Sequence, residues 1–106
     1  MPAQNINVEE LKALIAKNEV CLIDVREPHE YAAENIAAAT LIPLAEVSLK
    51  KLPKFDGKKL VIHCRSGKRS LTVCEKLLEE NPELEVYNLE GGIIAWSLLG
   101  GEVVKS

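Results

Sequence analysis

The segment Cys64-Arg65-Ser66-Gly67-Lys68-Arg69 gathers one cysteine, three cations, a serine and a glycine within six residues. Ahead of it runs the apolar Leu60-Val61-Ile62-His63. Behind it Ser70 leads into Leu71, Cys74, Leu77 and Leu78, which recur at helical spacing. The cysteine therefore falls at a strand-to-helix turn. The thiolate is the reactive form of cysteine, and cationic neighbours and the unpaired N–H groups of a helix start stabilise it. Gly67 allows a positive φ that turns successive amides inward as an anion-binding nest. Ser66 and Ser70 add hydroxyls that can reach an oxyanion or a sulfur. This set suits attack on a small anionic substrate with a transferable group, held covalently on Cys64 until an acceptor removes it. A buried strand-end cysteine before a solvated basic turn has the same local pattern, so the loop alone leaves both readings open.

The elements that must position this loop alternate in type. Asn7 with Glu10 reads as an N-cap and capping box for a helix whose apolar face is Val8, Leu11, Leu14 and Ile15. Ile6 just before it fits a short edge strand. Val20–Val25 is an almost unbroken apolar run, as in a parallel strand buried on both faces. Pro28 opens a short helix through Tyr31 and Ala32. Ala39–Ile42 reads as a third strand, and Leu44, Val47 and Leu52 as a short helix ended by Pro53. Asp56-Gly57 turns the chain into the strand at Leu60–His63. The helix after Cys64 stops near Asn81-Pro82, Glu85–Leu89 forms a last strand, and Gly91-Gly92 precedes a final helix through Ile94 and Trp96. The pattern predicts an α/β fold with a parallel sheet and helices on both faces, organised as one domain over 1–106. In such sheets ligands bind at the carboxyl ends of the strands, where Cys64 falls.

Composition narrows the classes. With 13 basic and 16 acidic residues the formal charge is -3, which leaves no surplus of cations for nucleic acid. No stretch is long and apolar enough for a membrane span, and the N-terminal residues lack a signal-peptide pattern. Three cysteines cannot all pair within the chain, so a reducing cytoplasm is expected. They lie too far apart for a C-x2-C pair, and His29 and His63 lack ligand spacing, so no metal is expected.

Three separated segments resemble the rhodanese family of single-domain sulfurtransferases. Leu22-Ile23-Asp24-Val25-Arg26-Glu27 with Glu30-Tyr31 is similar to its "DVRE…EY/F" segment. His63-Cys64 and the following loop resemble its active-site signature, and Gly91-Gly92-Ile93-Ile94-Ala95-Trp96 resembles its "GG…AW" segment. The resemblance implies a five-stranded parallel sheet, no bound cofactor, and a persulfide on Cys64. Sulfur would come from thiosulfate and pass to cyanide, a thiol or a partner protein. It makes Cys64 the nucleophile and Arg65, Ser66, Gly67, Lys68 and Arg69 the cradle of a small anionic sulfur donor.

Loop length separates related chemistries. Cysteine phosphatases use Cys-x5-Arg, whereas here Ser70 holds that place and Arg69 comes one residue early. The shorter loop makes a smaller pocket, which argues against phosphatase activity. The absence of Cys-Gly-Ser/Thr-Gly points away from mercaptopyruvate and towards thiosulfate. Two alternatives remain open: a sulfur-relay module fed by a partner protein, and an arsenate reductase with Cys21 or Cys74 as resolving thiol. One segment departs from the family: Glu34-Asn35-Ile36-Ala37-Ala38-Ala39 stands where many relatives read Gly-His-Ile-Pro-Gly-Ala, which removes both glycines, the histidine and the proline from that turn.

Among the remaining residues, Asp24 is expected to bind local amides while Arg26 forms an ion pair that fixes the loop. Strand alternation points His63 away from Cys64, and His29 is expected to be exposed. Cys21 and Cys74 read as small buried hydrophobes. Trp96 is expected to pack the last helix on the sheet, with its edge available to line the pocket mouth.

Overall fold

The computed structural model describes residues 3–105. Five strands, β1 (Gln4–Ile6), β2 (Val20–Asp24), β4 (Ala39–Leu41), β5 (Lys59–His63) and β6 (Val86–Leu89), form one sheet in the order β1-β6-β5-β2-β4. Every pairing in it is parallel. The central strand is β5, the one that runs into Cys64. Helices α1 (Val8–Ala16), α2 (Pro28–Ala33), α3 (Lys68–Glu80) and α4 (Gly92–Leu98) connect the strands.

Alternation along β5 sorts the core into two layers. Leu60 and Ile62 join Ile23, Val73, Cys74 and Leu77 on the side covered by α3. Val61 joins Leu11, Leu22, Leu89, Ile93 and Trp96 on the side covered by α1 and α4. Burial of a leucine such as Leu77 is worth about 2–5 kcal/mol against alanine. At the start of α1, Glu10 N–H donates to Asn7 Oδ1 at 2.8 Å and Asn7 N–H to Glu10 Oε1 at 3.1 Å. The capping box read from the sequence is therefore present.

Two features differ from expectation. The segment through Leu44, Val47 and Leu52 is two separate 3-10 turns, Leu44–Glu46 and Leu49–Lys51. Between them Val47 is extended and almost fully buried: seating this β-branched side chain in the core interrupts the helix. A small antiparallel pair, β3 (Glu34–Asn35) with β7 (Val104–Lys105), also lies outside the main sheet, so β6 is not the last strand. Neither strand carries the apolar alternation that would announce it. No helix among the described residues is long and apolar enough to cross a membrane.

Candidate active site

β5 ends at His63, and Cys64 is the first residue beyond it, 1% exposed. The chain then turns through Arg65 and Ser66 to Gly67, whose φ of 103° is reached without strain by glycine. This conformation aims the Gly67 N–H at Cys64 Sγ, 3.1 Å away. Ser70, on the first turn of α3, places Oγ 3.3 Å from the same sulfur. Burial pushes the Cys64 thiol up. The Ser70 hydroxyl and the amides of Ser70, Gly67 and Ser66 outweigh it, so the thiol sits below its ordinary value.

That balance corrects the expectation that three cations surround the nucleophile. Arg69 turns to Glu30 instead, and the Arg65 and Lys68 side chains are exposed. Short-range hydrogen bonds, rather than guanidinium or ammonium contacts, govern the thiol. Arg65 and Lys68 form no ion pair among the described residues and face solvent at the rim of the loop.

The backbone of the loop is held from α4. Ile93 N–H donates to Cys64 O at 2.9 Å and Ile94 N–H to Arg65 O at 3.2 Å. A Cβ at Gly92 would fall 2.5 Å from Cys64 O, so only glycine lets the two chains approach this closely. The Gly91-Gly92 pair thus fixes the depth of the cysteine by permitting contact.

Beneath the loop lies a buried polar cluster. Asp24 Oδ1 accepts from Arg26 N–H at 2.9 Å, and its carboxylate pairs with the Arg26 guanidinium, Nη2 to Oδ2 at 2.8 Å. Arg26 Nη2 also donates to Glu34 O at 2.8 Å, tying the end of β2 to the start of β3. Both expected roles are present. His63 points to the layer opposite Cys64, its Nδ1 3.2 Å from Cys64 O and its Nε2 3.5 Å from Asp24 Oδ2. Burial, against the pull of Asp24, holds its imidazole below the usual histidine range and so neutral.

The segment that departs from the family is ordered by other means. Ile36 is 2% exposed and fills the α1/α4 layer, and Ala39 N–H closes the turn on Ile36 O at 2.9 Å. Glu34 from this segment, with Arg26, Glu30, Ala33, Arg65, Ile93 and Ile94, lines an open cleft of about 330 Å³ beside the loop.

His29 is exposed, as expected. Cys21 and Cys74 are buried. Burial raises Cys21, and burial with help from Glu75 pushes Cys74 up to about 12. Trp96 packs α4 on the sheet, but its ring lines a different cleft with Lys12 and Ile15, and its Nε1 donates to Glu102 O at 2.9 Å. It does not line the cleft beside Arg65, because α4 turns its position towards α1. No group of three His, Cys, Asp or Glu side chains is placed to hold a metal among the described residues.

One residue at the site was not singled out from the sequence. Asn88, on β6 and 6% exposed, accepts from Ser70 Oγ and donates from Nδ2 to Gly67 O at 3.2 Å. Its signal is a polar amide inside the apolar strand Val86–Leu89, where an exposed edge would have been the only other explanation.

Known proteins are similar to this chain in sequence and in fold. A sulfurtransferase of Allochromatium vinosum is 38% identical over 102 residues, spanning 93% of this chain and 92% of that protein. A thiosulfate sulfurtransferase of Pseudoalteromonas translucida is 27% identical over 105 residues, 99% of each. An uncharacterized Synechocystis protein is 36% identical over 96 residues and longer, the chain spanning 53% of it. The crystal structure of a rhodanese-related protein from Thermoplasma volcanium superposes with a TM-score of 0.75 at 31% identity, covering 95% of this chain and 97% of that one. The model of the rhodanese-like domain matches residues 7–99, and the chain belongs to the rhodanese-like family.

Proposed function

We propose that this chain is a thiosulfate sulfurtransferase working through a persulfide on Cys64. The Cys64 thiolate attacks the outer sulfur of thiosulfate; the S–S bond of the donor breaks and sulfite departs with its electron pair. An acceptor nucleophile, such as cyanide, a thiol or a partner protein, then attacks the outer sulfur of the persulfide. The Cys64–sulfur bond breaks and the thiolate returns. No general base is required if Cys64 is ionised beforehand, and no bound cofactor is invoked.

The observation that carries this reading is the sulfur of Cys64 held by the Gly67 N–H at 3.1 Å and the Ser70 hydroxyl at 3.3 Å. The Gly67 amide so placed stabilises a thiolate, the Ser70 hydroxyl can turn to do the same, and both can hold the outer sulfur of a persulfide. Arg65, Ser66, Gly67 and Lys68 form the cradle, with Arg65 and Lys68 attracting the dianion from the rim, while Arg69 braces the loop through Glu30. The relatives that are named as sulfurtransferases support the reaction class. Three free cysteines are in keeping with a reducing cytoplasm.

A partner-fed relay is favoured by the mouth of the cleft, where Ile94 is 39% exposed beside Arg65. Such an open, half-apolar rim can receive a larger acceptor than cyanide. Arsenate reduction with an internal resolving thiol is disfavoured, because Cys21 and Cys74 are buried with raised thiols.

The test is thiocyanate formation from thiosulfate and cyanide. The proposal expects turnover in the parent and none in Cys64→Ser. Equal turnover in both proteins, or none in the parent, overturns it.

A further inference from the structure

The Asn88 side chain has only one sensible orientation. Gly67 O can only accept, so the amide end that faces it at 3.2 Å is the NH2 group, and the carbonyl end faces Ser70. A serine hydroxyl carries one proton. In this arrangement that proton lies on the short contact to Asn88 Oδ1. The lone pairs of Ser70 Oγ are then what Cys64 Sγ meets at 3.3 Å, so the thiol is the donor and Ser70 the acceptor.

A thiolate reverses the requirement. It has no proton to give and can only accept, so Ser70 can stabilise it only by turning its hydroxyl from Asn88 to the sulfur. We propose that Asn88 is a positioning residue that holds the Ser70 proton away from Cys64, so that ionisation of the thiol is coupled to a turn of the Ser70 hydroxyl. The proton balance is complete: the thiol proton leaves to solvent, the hydroxyl proton moves from Asn88 Oδ1 to Sγ by rotation alone, and Oδ1 is left without it. Asn88, buried in a strand, thereby restrains the nucleophile that Ser70 would otherwise ionise more readily. The inference rests on the proposed function only in taking Cys64 as the nucleophile.

The test is the pH profile of Cys64 alkylation by iodoacetamide, read by peptide mass spectrometry without any sulfur donor. It succeeds or fails independently of thiosulfate turnover. Asn88→Leu should lower the midpoint, raising the thiolate fraction on the acid side about tenfold, the size expected when ionisation no longer has to break the Ser70–Asn88 bond and leave a buried acceptor unpaired. Ser70→Ala should raise the midpoint, and adding Asn88→Leu to Ser70→Ala should change it no further. A raised midpoint in Asn88→Leu, or an equal fall with and without Ser70, overturns the proposal and moves the role of Asn88 to the Gly67 peptide. Asn88→Val, suited to a strand, carries the same expectations should the leucine variant not fold. In the parent itself, the Asn88 side-chain NMR signals should shift as pH crosses the Cys64 midpoint; no shift also overturns it.

Discussion

Arg69 and Glu30 face each other as a bidentate ion pair, Nη1 to Oε1 at 2.7 Å and Nη2 to Oε2 at 2.9 Å. The pair joins the first turn of α3 to α2, and so closes the loop that carries Cys64 against the segment after β2. Glu30 Oε1 also accepts the Glu27 N–H at 2.9 Å, which caps α2. A residue read from the sequence as part of the substrate cradle thus has a carboxylate partner of its own.

This pairing predicts an acid limb in stability. Hydrogen bonding to Arg69 lowers the Glu30 carboxyl from 4.5 to about 2, despite some desolvation. The folded value is depressed, so the stabilisation is fully present above the unfolded value and fades as pH falls from 4.5 towards about 2. Urea titrations across that window should show a shallower loss in Glu30→Gln than in the parent. At neutral pH Glu30→Gln should cost about 1 kcal/mol, the pair being partly exposed. An identical acid limb in both proteins would contradict the assignment.

Histidine 63 should act in a higher window. Burial lowers it below 6.5, so folding favours the neutral ring, and stability present above 6.5 declines as pH falls below it. Phenylalanine at this position, His63→Phe, should flatten that portion of the stability profile while leaving the Glu30 portion in place. Persistence of the upper portion in the variant would assign it to another group.

Gly67→Ala should separate geometry from bulk. A Cβ there would meet Gly91 N at an ordinary 3.5 Å, but the φ of 103° is unfavourable for alanine. The expected cost is about 1 kcal/mol in stability, with a rise in the Cys64 alkylation midpoint as the amide leaves the sulfur. Gly92→Ala should be harsher, about 1–3 kcal/mol, because its Cβ would collide with the Cys64 carbonyl. Denaturant titration ranks the two, and the reverse order would count against the close approach of α4.

Much of this architecture was legible in the residues. The solid apolar runs of β2 and β5, the Asn7/Glu10 box and the glycines at 67, 91 and 92 each carry a local physical signal. Asp24 as an acceptor for local amides and Arg26 as an ion-pairing residue could be read on paper, but not that each is the other's partner. What stayed hidden depends on distant partners. Arg69 looks free until α2 brings Glu30 to it across 39 positions. Asn88 gains meaning only when β6 is laid beside β5 and α3 sets Ser70 above it. The two 3-10 turns follow from Val47 meeting the core, and β3 and β7 stabilise each other without any periodicity of their own.

The most direct measurement is the intact mass of the protein after brief exposure to thiosulfate, beside Cys64→Ala. The account predicts that the parent gains one sulfur atom, that cyanide removes it, and that the variant gains none. A parent that gains no sulfur, or a variant that gains as much as the parent, would contradict persulfide chemistry on Cys64.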